Sequence, residues 1–162
     1  MDMTATILRQ YRAPLAMLRK AIELCPADLW LEGDPNRFWH IAYHALFYTH
    51  FYLSPAEADF VPWEKSRANY NYLGGAPWRP TERFNADEPY TQSELLEFAG
   101  VCGDALVRQV PSLNLEAESG FHWLAFDKLE LQLYNIRHLQ HHTGQLVERL
   151  RSRAGIGVGW VG

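Results

Sequence analysis

Residues 127–153 read DKLELQLYNIRHLQHHTGQLVERLRSR. Leu129, Ile136, Leu139, Leu146 and Leu150 recur at steps of three, four and seven, the apolar stripe of one helix face. Asp127 with Glu130 supplies a capping pair at the start, and the tail from Gly155 to Gly162 is too rich in glycine to continue a helix. The segment therefore predicts a long helix over about 127–153. On it His138 and His142 stand four apart. A helix turns about 100° per residue, so the two share a face with Leu131 and Asn135 on the flank of the apolar stripe. His141 points toward the polar side with Arg137 and Glu148 and reads as a solvated residue.

Three more helices follow the same logic. Ile7, Tyr11, Leu15, Leu18 and Ile22 mark a face over about 5–24. Pro14 either bends that helix or moves its regular part to near Arg12, and Pro26 follows its end. Residues 36–53 are apolar nearly all round, as in a buried helix, with Asp34-Pro35 as the expected cap and first-turn proline. Thr91-Gln92-Ser93-Glu94 is a capping-box signature. It opens a helix over about 92–109 through Leu95, Phe98, Cys102 and Leu106, which Pro111 ends.

Between the second and third of these lies an irregular stretch, 54–90, with rings at Phe60, Trp63, Tyr70, Tyr72, Trp78, Phe84 and Tyr90. Connections of that length are uncommon in compact domains and are often functional, and the aromatic content argues against disorder. An ordered crossover draped over the helices is expected, and a second loop over about 111–125. The fold class is all-α: a four-helix bundle in one domain, 1–162, whose long crossover lets helices two and three run parallel.

Composition narrows the class. The net charge of −4 and the lack of a basic run disfavour nucleic acid. No stretch approaches the roughly 20 apolar residues of a membrane span, and Met1 to Arg9 does not read as a signal peptide. Cys25 and Cys102 are too few and too far apart for a disulfide scaffold or a Cys-rich zinc site. They read as two buried thiols in a reducing cytoplasm.

Six of the seven histidines fall in two windows. His40, His44 and His50 lie in the second helix and His138, His141 and His142 in the fourth, while His122 stands alone in a loop. His40 and His44 share a face with Phe47 and Phe51; His50 points elsewhere. Neutral imidazole is the commonest protein ligand for zinc-like ions, and two at i and i+4 form a rigid pincer that a third from a facing helix completes. The other reading is a set of core histidines satisfied by neighbours. The zincin motif is absent, because Leu139 stands where its glutamate would be. The Glu-x-x-His pairs of di-iron bundles are absent from the His-bearing helices. A neutral, His-rich set suits Zn, Ni, Fe or Cu better than Mg or Ca.

The string Asn135-Ile-Arg-His138-Leu-Gln-His141-His142-Thr-Gly144-Gln145-Leu146 resembles the fourth-helix signature of the DinB-like (YfiT-like) bundle superfamily, where two His four apart are followed closely by Gly-Gln. Tyr43-His44-Ala-Leu-Phe-Tyr-Thr-His-Phe-Tyr-Leu53 resembles that family's second-helix segment. Helix order, the long middle loop and a Trp near the C-terminus are also similar. The resemblance implies an up-down-down-up bundle with a three-His divalent metal site. By position its ligands are His44, His138 and His142, with His40 in reserve. It implies a homodimer, and either a thiol-dependent S-transferase or an isomerase using a low-molecular-weight thiol. The long aromatic 54–90 segment departs from a minimal family member.

Two functional expectations follow. The first is a metal-dependent enzyme, with zinc first and nickel or iron next, acting on a small molecule by thiol transfer or hydrolysis. Tyr48, Tyr134 or Gln145 would orient the substrate. No obvious carboxylate base sits on the His face, which favours thiol activation. The second is a non-catalytic, metal-stabilised dimeric binding or stress-response module; a metal-free structural bundle stands behind both. Gly144, inside a helix, marks either a close approach or a tolerated exposed position.

Overall fold

Capping chemistry sets most of the helix boundaries. The computed structural model describes residues 2–33, 36–75, 81–82 and 84–162. Helix α1 spans Met3–Leu24, because the Asp2 carboxylate accepts from the Ala5 N–H at 2.9 Å and starts the helix two residues earlier than its apolar stripe suggests. It runs through Pro14 as one element. A short α2, Ala27–Trp30, follows Pro26 and was not legible in the periodicity.

Helix α3 spans Phe38–Phe51, two residues shorter at each end than the 36–53 expected. Arg37 is its cap and makes no side-chain capping bond; the expected Asp34-Pro35 cap lies outside the described residues. At the far end Leu53 and Ser54 bond back to His50 O and Phe51 O, a tighter turn than the α-helix. Helix α4, Gln92–Gln109, has the bounds its capping box predicts. Thr91 Oγ1 accepts from the Glu94 N–H, and the Thr91 N–H donates to Glu94 Oε2 at 2.8 Å. Helix α5, Lys128–Ala154, begins where Asp127 accepts from the Glu130 N–H and ends at Gly155.

Among the described residues the structure is all-helical, with these five helices, 3-10 turns at Glu57–Asp59 and Val110–Ser112, and no strand beyond one Glu118–Asp127 bridge. Helix α1 packs on α4 and α5, and so does α3. The core between them takes Tyr11, Leu18 and Ile22 from α1, Trp39, Tyr43 and Leu46 from α3, Phe98 and Leu106 from α4, and Leu139 and Leu146 from α5. Cys25 and Cys102 are both buried free thiols, as expected.

The crossover is ordered by its rings over the described part; Trp78 lies outside it. Trp63 stacks on Phe98 at 4.6 Å, and Tyr90 stacks on Tyr43 at 4.7 Å. No helix is long and apolar enough to cross a membrane among the described residues.

The loop before α5 is held differently. Buried Lys128 donates to the carbonyls of Ser119, Pro55 and Ser54 with its ammonium over the Phe121 ring. It therefore ties the stretch after α3 to the stretch before α5. Gly120 sits at the junction with φ +83°, and a Cβ there would lie 2.8 Å from the Ala56 Cα. These two tied stretches form one wall of the cavity described next.

Candidate metal centre

Packing of α3 on α5 brings His44 against the His138/His142 pair, and one ring nitrogen from each lies within 4.8 Å of the others. His44 Nε2 and His138 Nε2 are 3.0 Å apart. Metal–imidazole bonds of about 2.0–2.1 Å in a tetrahedron place ligand nitrogens roughly 3.3 Å apart, so the spacing suits a shared ion.

The hydrogen bonds around the group assign its tautomers. His44 Nδ1 lies 2.6 Å from the backbone carbonyl of Asn71. A carbonyl only accepts, so Nδ1 carries the proton and Nε2 keeps its lone pair. His142 Nδ1 lies 2.8 Å from Gln145 Oε1, and the Gln145 amide nitrogen faces His141 Nε2 at 3.1 Å. Gln145 thus accepts from His142, whose Nε2 likewise keeps a lone pair. An imidazole N–H tied to a carbonyl oxygen is the usual outer support of a metal-ligating histidine. Between His44 and His138 the proton must come from His138 Nε2. His138 Nδ1 is then a buried acceptor with no partner among the described residues.

All three imidazoles are held neutral. Burial lowers His44 well below the ordinary histidine value, with the neighbouring His142 and His138 adding to it. Burial takes His138 down to about 3, again with His142 adding. Burial also lowers His142, while the Gln145 bond opposes the shift. Neutral imidazole is the ligand form.

The other histidines are placed elsewhere. His40, the reserve ligand, is not a member of the group. Its Nε2 donates to the Tyr70 carbonyl at 2.7 Å, and its ring stacks on Trp39. His40 and His44, one turn apart, thus hold two successive carbonyls of the crossover. The turn that presents them begins at Asn69, whose φ of +67° is a conformation asparagine tolerates. His50 is buried against Phe60 and Phe98, and His141 is exposed, as its helical angle implied.

A cavity of about 930 Å³ opens beside His44 and His138. Helix α3 contributes Phe47, Tyr48, Phe51 and Tyr52, α5 contributes Tyr134, and the crossover contributes Asn71 and Tyr72. Tyr48 and Tyr134, expected from sequence to face a substrate, do line it; Gln145 instead supports His142. Glu57, His122 and Trp123 also line it and were not foreseen as site residues. They sit in loops, where no periodicity announces a direction. No carboxylate joins the three imidazoles among the described residues, and Glu57 reaches the cavity instead from the turn after α3.

No family model matches the chain, and neither a curated protein nor a solved structure matches it.

Proposed function

We propose that the chain is a metal-dependent enzyme acting on a small molecule, with one divalent ion held by His44, His138 and His142. The observation that carries this is the meeting of three neutral imidazoles, two of them with Nδ1–H tied to a carbonyl oxygen. The donor set is all nitrogen and uncharged, which favours zinc, with nickel or iron next. A bound ion of this kind supplies a Lewis acid that lowers the pKa of a thiol or water beside it.

The chain's own residues do the rest. Asn71 O and Gln145 orient two of the imidazoles. Burial holds the Tyr48 hydroxyl protonated, its pKa pushed up to about 12, so it is available as a donor in the cavity wall. Glu57 places a carboxylate on the same cavity. Thiol transfer stands ahead of hydrolysis, because no carboxylate joins the three imidazoles among the described residues. The open cavity beside His44 and His138 favours catalysis over a sealed, purely structural site.

The helix packing and the His spacing also support membership of the DinB-like bundles. That reading carries an up-down-down-up four-helix bundle, a single domain, a homodimer and a cytoplasmic setting as further proposals.

Elemental analysis of the untagged protein beside the His138→Ala/His142→Ala double variant tests the centre. Near-stoichiometric metal in the parent and none in the variant is expected. A parent that holds no metal after incubation with zinc or nickel and desalting sinks the proposal.

A further inference from the structure

The cavity has two chemically distinct ends. At one are His44 and His138, uncharged. At the other are Glu57 and His122, 3.3 Å apart. Among its described lining residues there is no Lys or Arg, and Glu57 is the only carboxylate.

The rings between and around these ends are fixed in orientation. Trp123 lies nearly parallel to Phe51, at 16° with centroids 6.2 Å apart, and the His122 ring meets Trp123 edge-on. Phe121 packs edge-on to both Phe51 and Tyr52 from behind. Trp123 is nonetheless 39% exposed, whereas Phe121 behind it is 2% exposed.

Aromatic faces carry negative potential, and a cation above them is attracted. A carboxylate beside such faces adds a full charge of the same sign. Among the described lining residues outside the metal group only His122 could carry a positive charge, and it already faces Glu57 at 3.3 Å. A cavity near 930 Å³ is ample for a drug-sized molecule.

We infer that the cavity recognises a cationic organic molecule, an amine or quaternary ammonium with an apolar or aromatic body, whose head lies at Glu57 against the Trp123 and Phe51 rings. The head's position does not depend on the metal. The direction of the body does rest on the proposed metal centre: a divalent ion at His44 and His138 would repel the head and draw the electron-rich end of the molecule. The two ends together then align the substrate along the cavity.

Calorimetric titration with three matched probes tests this. They are (4-hydroxymethylphenyl)trimethylammonium, its neutral isostere 4-tert-butylbenzyl alcohol, and 4-(hydroxymethyl)benzenesulfonate. Each is run on parent protein treated with chelator and on parent loaded with zinc, so that the fate of the metal reading is scored separately. The ammonium is expected to bind at least about tenfold more tightly than the isostere in both preparations, with the sulfonate weakest. Glu57→Gln, an exposed-turn substitution whose folding circular dichroism checks, is expected to weaken the ammonium about tenfold and leave the isostere within roughly twofold. The inference is overturned by sulfonate binding as tight as ammonium binding, by an ammonium preference that survives Glu57→Gln, or by no ammonium saturation below about 10 mM.

Discussion

Replacing His138 by asparagine should flatten the acid limb of the protein's stability curve. In the folded chain burial holds the His138 pKa down to about 3, against an ordinary 6.5. Above pH 6.5 the imidazole is neutral in both folded and unfolded chains and contributes no pH dependence. Between pH 6.5 and about 3 the unfolded chain takes up a proton that the folded chain excludes. Stability therefore falls as pH falls through that window, at up to about 1.4 kcal/mol per pH unit for one proton. Over the two units from pH 6 to pH 4 this one side chain accounts for roughly 2–3 kcal/mol. That is a large share of the 5–15 kcal/mol of a typical domain. Asparagine does not titrate, so His138→Asn should remove this slope. His44 stays buried beside His142 but loses the His138 charge that adds to its lowering, so any change at His44 flattens the variant's curve in the same direction. The assay is urea unfolding at half-unit pH steps in the presence of a chelator. Parallel stability curves for parent and variant between pH 6 and pH 4 would refute the reasoning, because the unfolded chain would then bind no proton that the folded parent refuses.

Two glycines should respond to alanine with opposite sign. Gly144 lies inside α5 with nothing within 4 Å of an added Cβ, so Gly144→Ala is expected to stabilise by about 0.5–1 kcal/mol in urea unfolding. This is the behaviour of a tolerated exposed position; a loss of stability would point instead to a close approach there. Gly120→Ala, at positive φ and against the Ala56 backbone, is expected to cost at least about 2 kcal/mol by the same measurement. Lys128→Met removes the donor to the Pro55 and Ser119 carbonyls. It should destabilise by about 2 kcal/mol, net of the relief from unburying a charge. An unchanged unfolding midpoint for Lys128→Met would mean that the loops around the cavity do not need this tie.

Local interactions made much of the fold legible. Thr91 and Glu94 are three apart, as are Asp127 and Glu130, so a cap can be recognised without knowing where anything else in the chain goes. The bounds of α4 came out as read for that reason. The same holds for His138 and His142, whose common face follows from helical angle alone. Arg37 shows the limit: α3 starts there without a side-chain cap, and no local signal marks it. Resemblance supplied the remaining partner, His44, ninety-four positions from His138, and the packing of α3 on α5 brings them to 3.0 Å.

What the sequence did not disclose depends on distant groups meeting. The Asn71 carbonyl fixes the tautomer of His44 across 27 positions, and a backbone carbonyl has no residue type to betray it. His40 and His44 look equivalent by spacing, and only the path of the crossover decides that His40 takes Tyr70 O while His44 faces α5. Glu57 and His122 stand 65 positions apart in two loops, and their joint presence on the cavity wall follows from the Lys128 tie and the fit of Gly120 against Ala56. Periodicity reports which face of a helix is buried. It carries no information on where an irregular loop returns to the surface, because that path is chosen by contacts the loop makes only after the helices have packed.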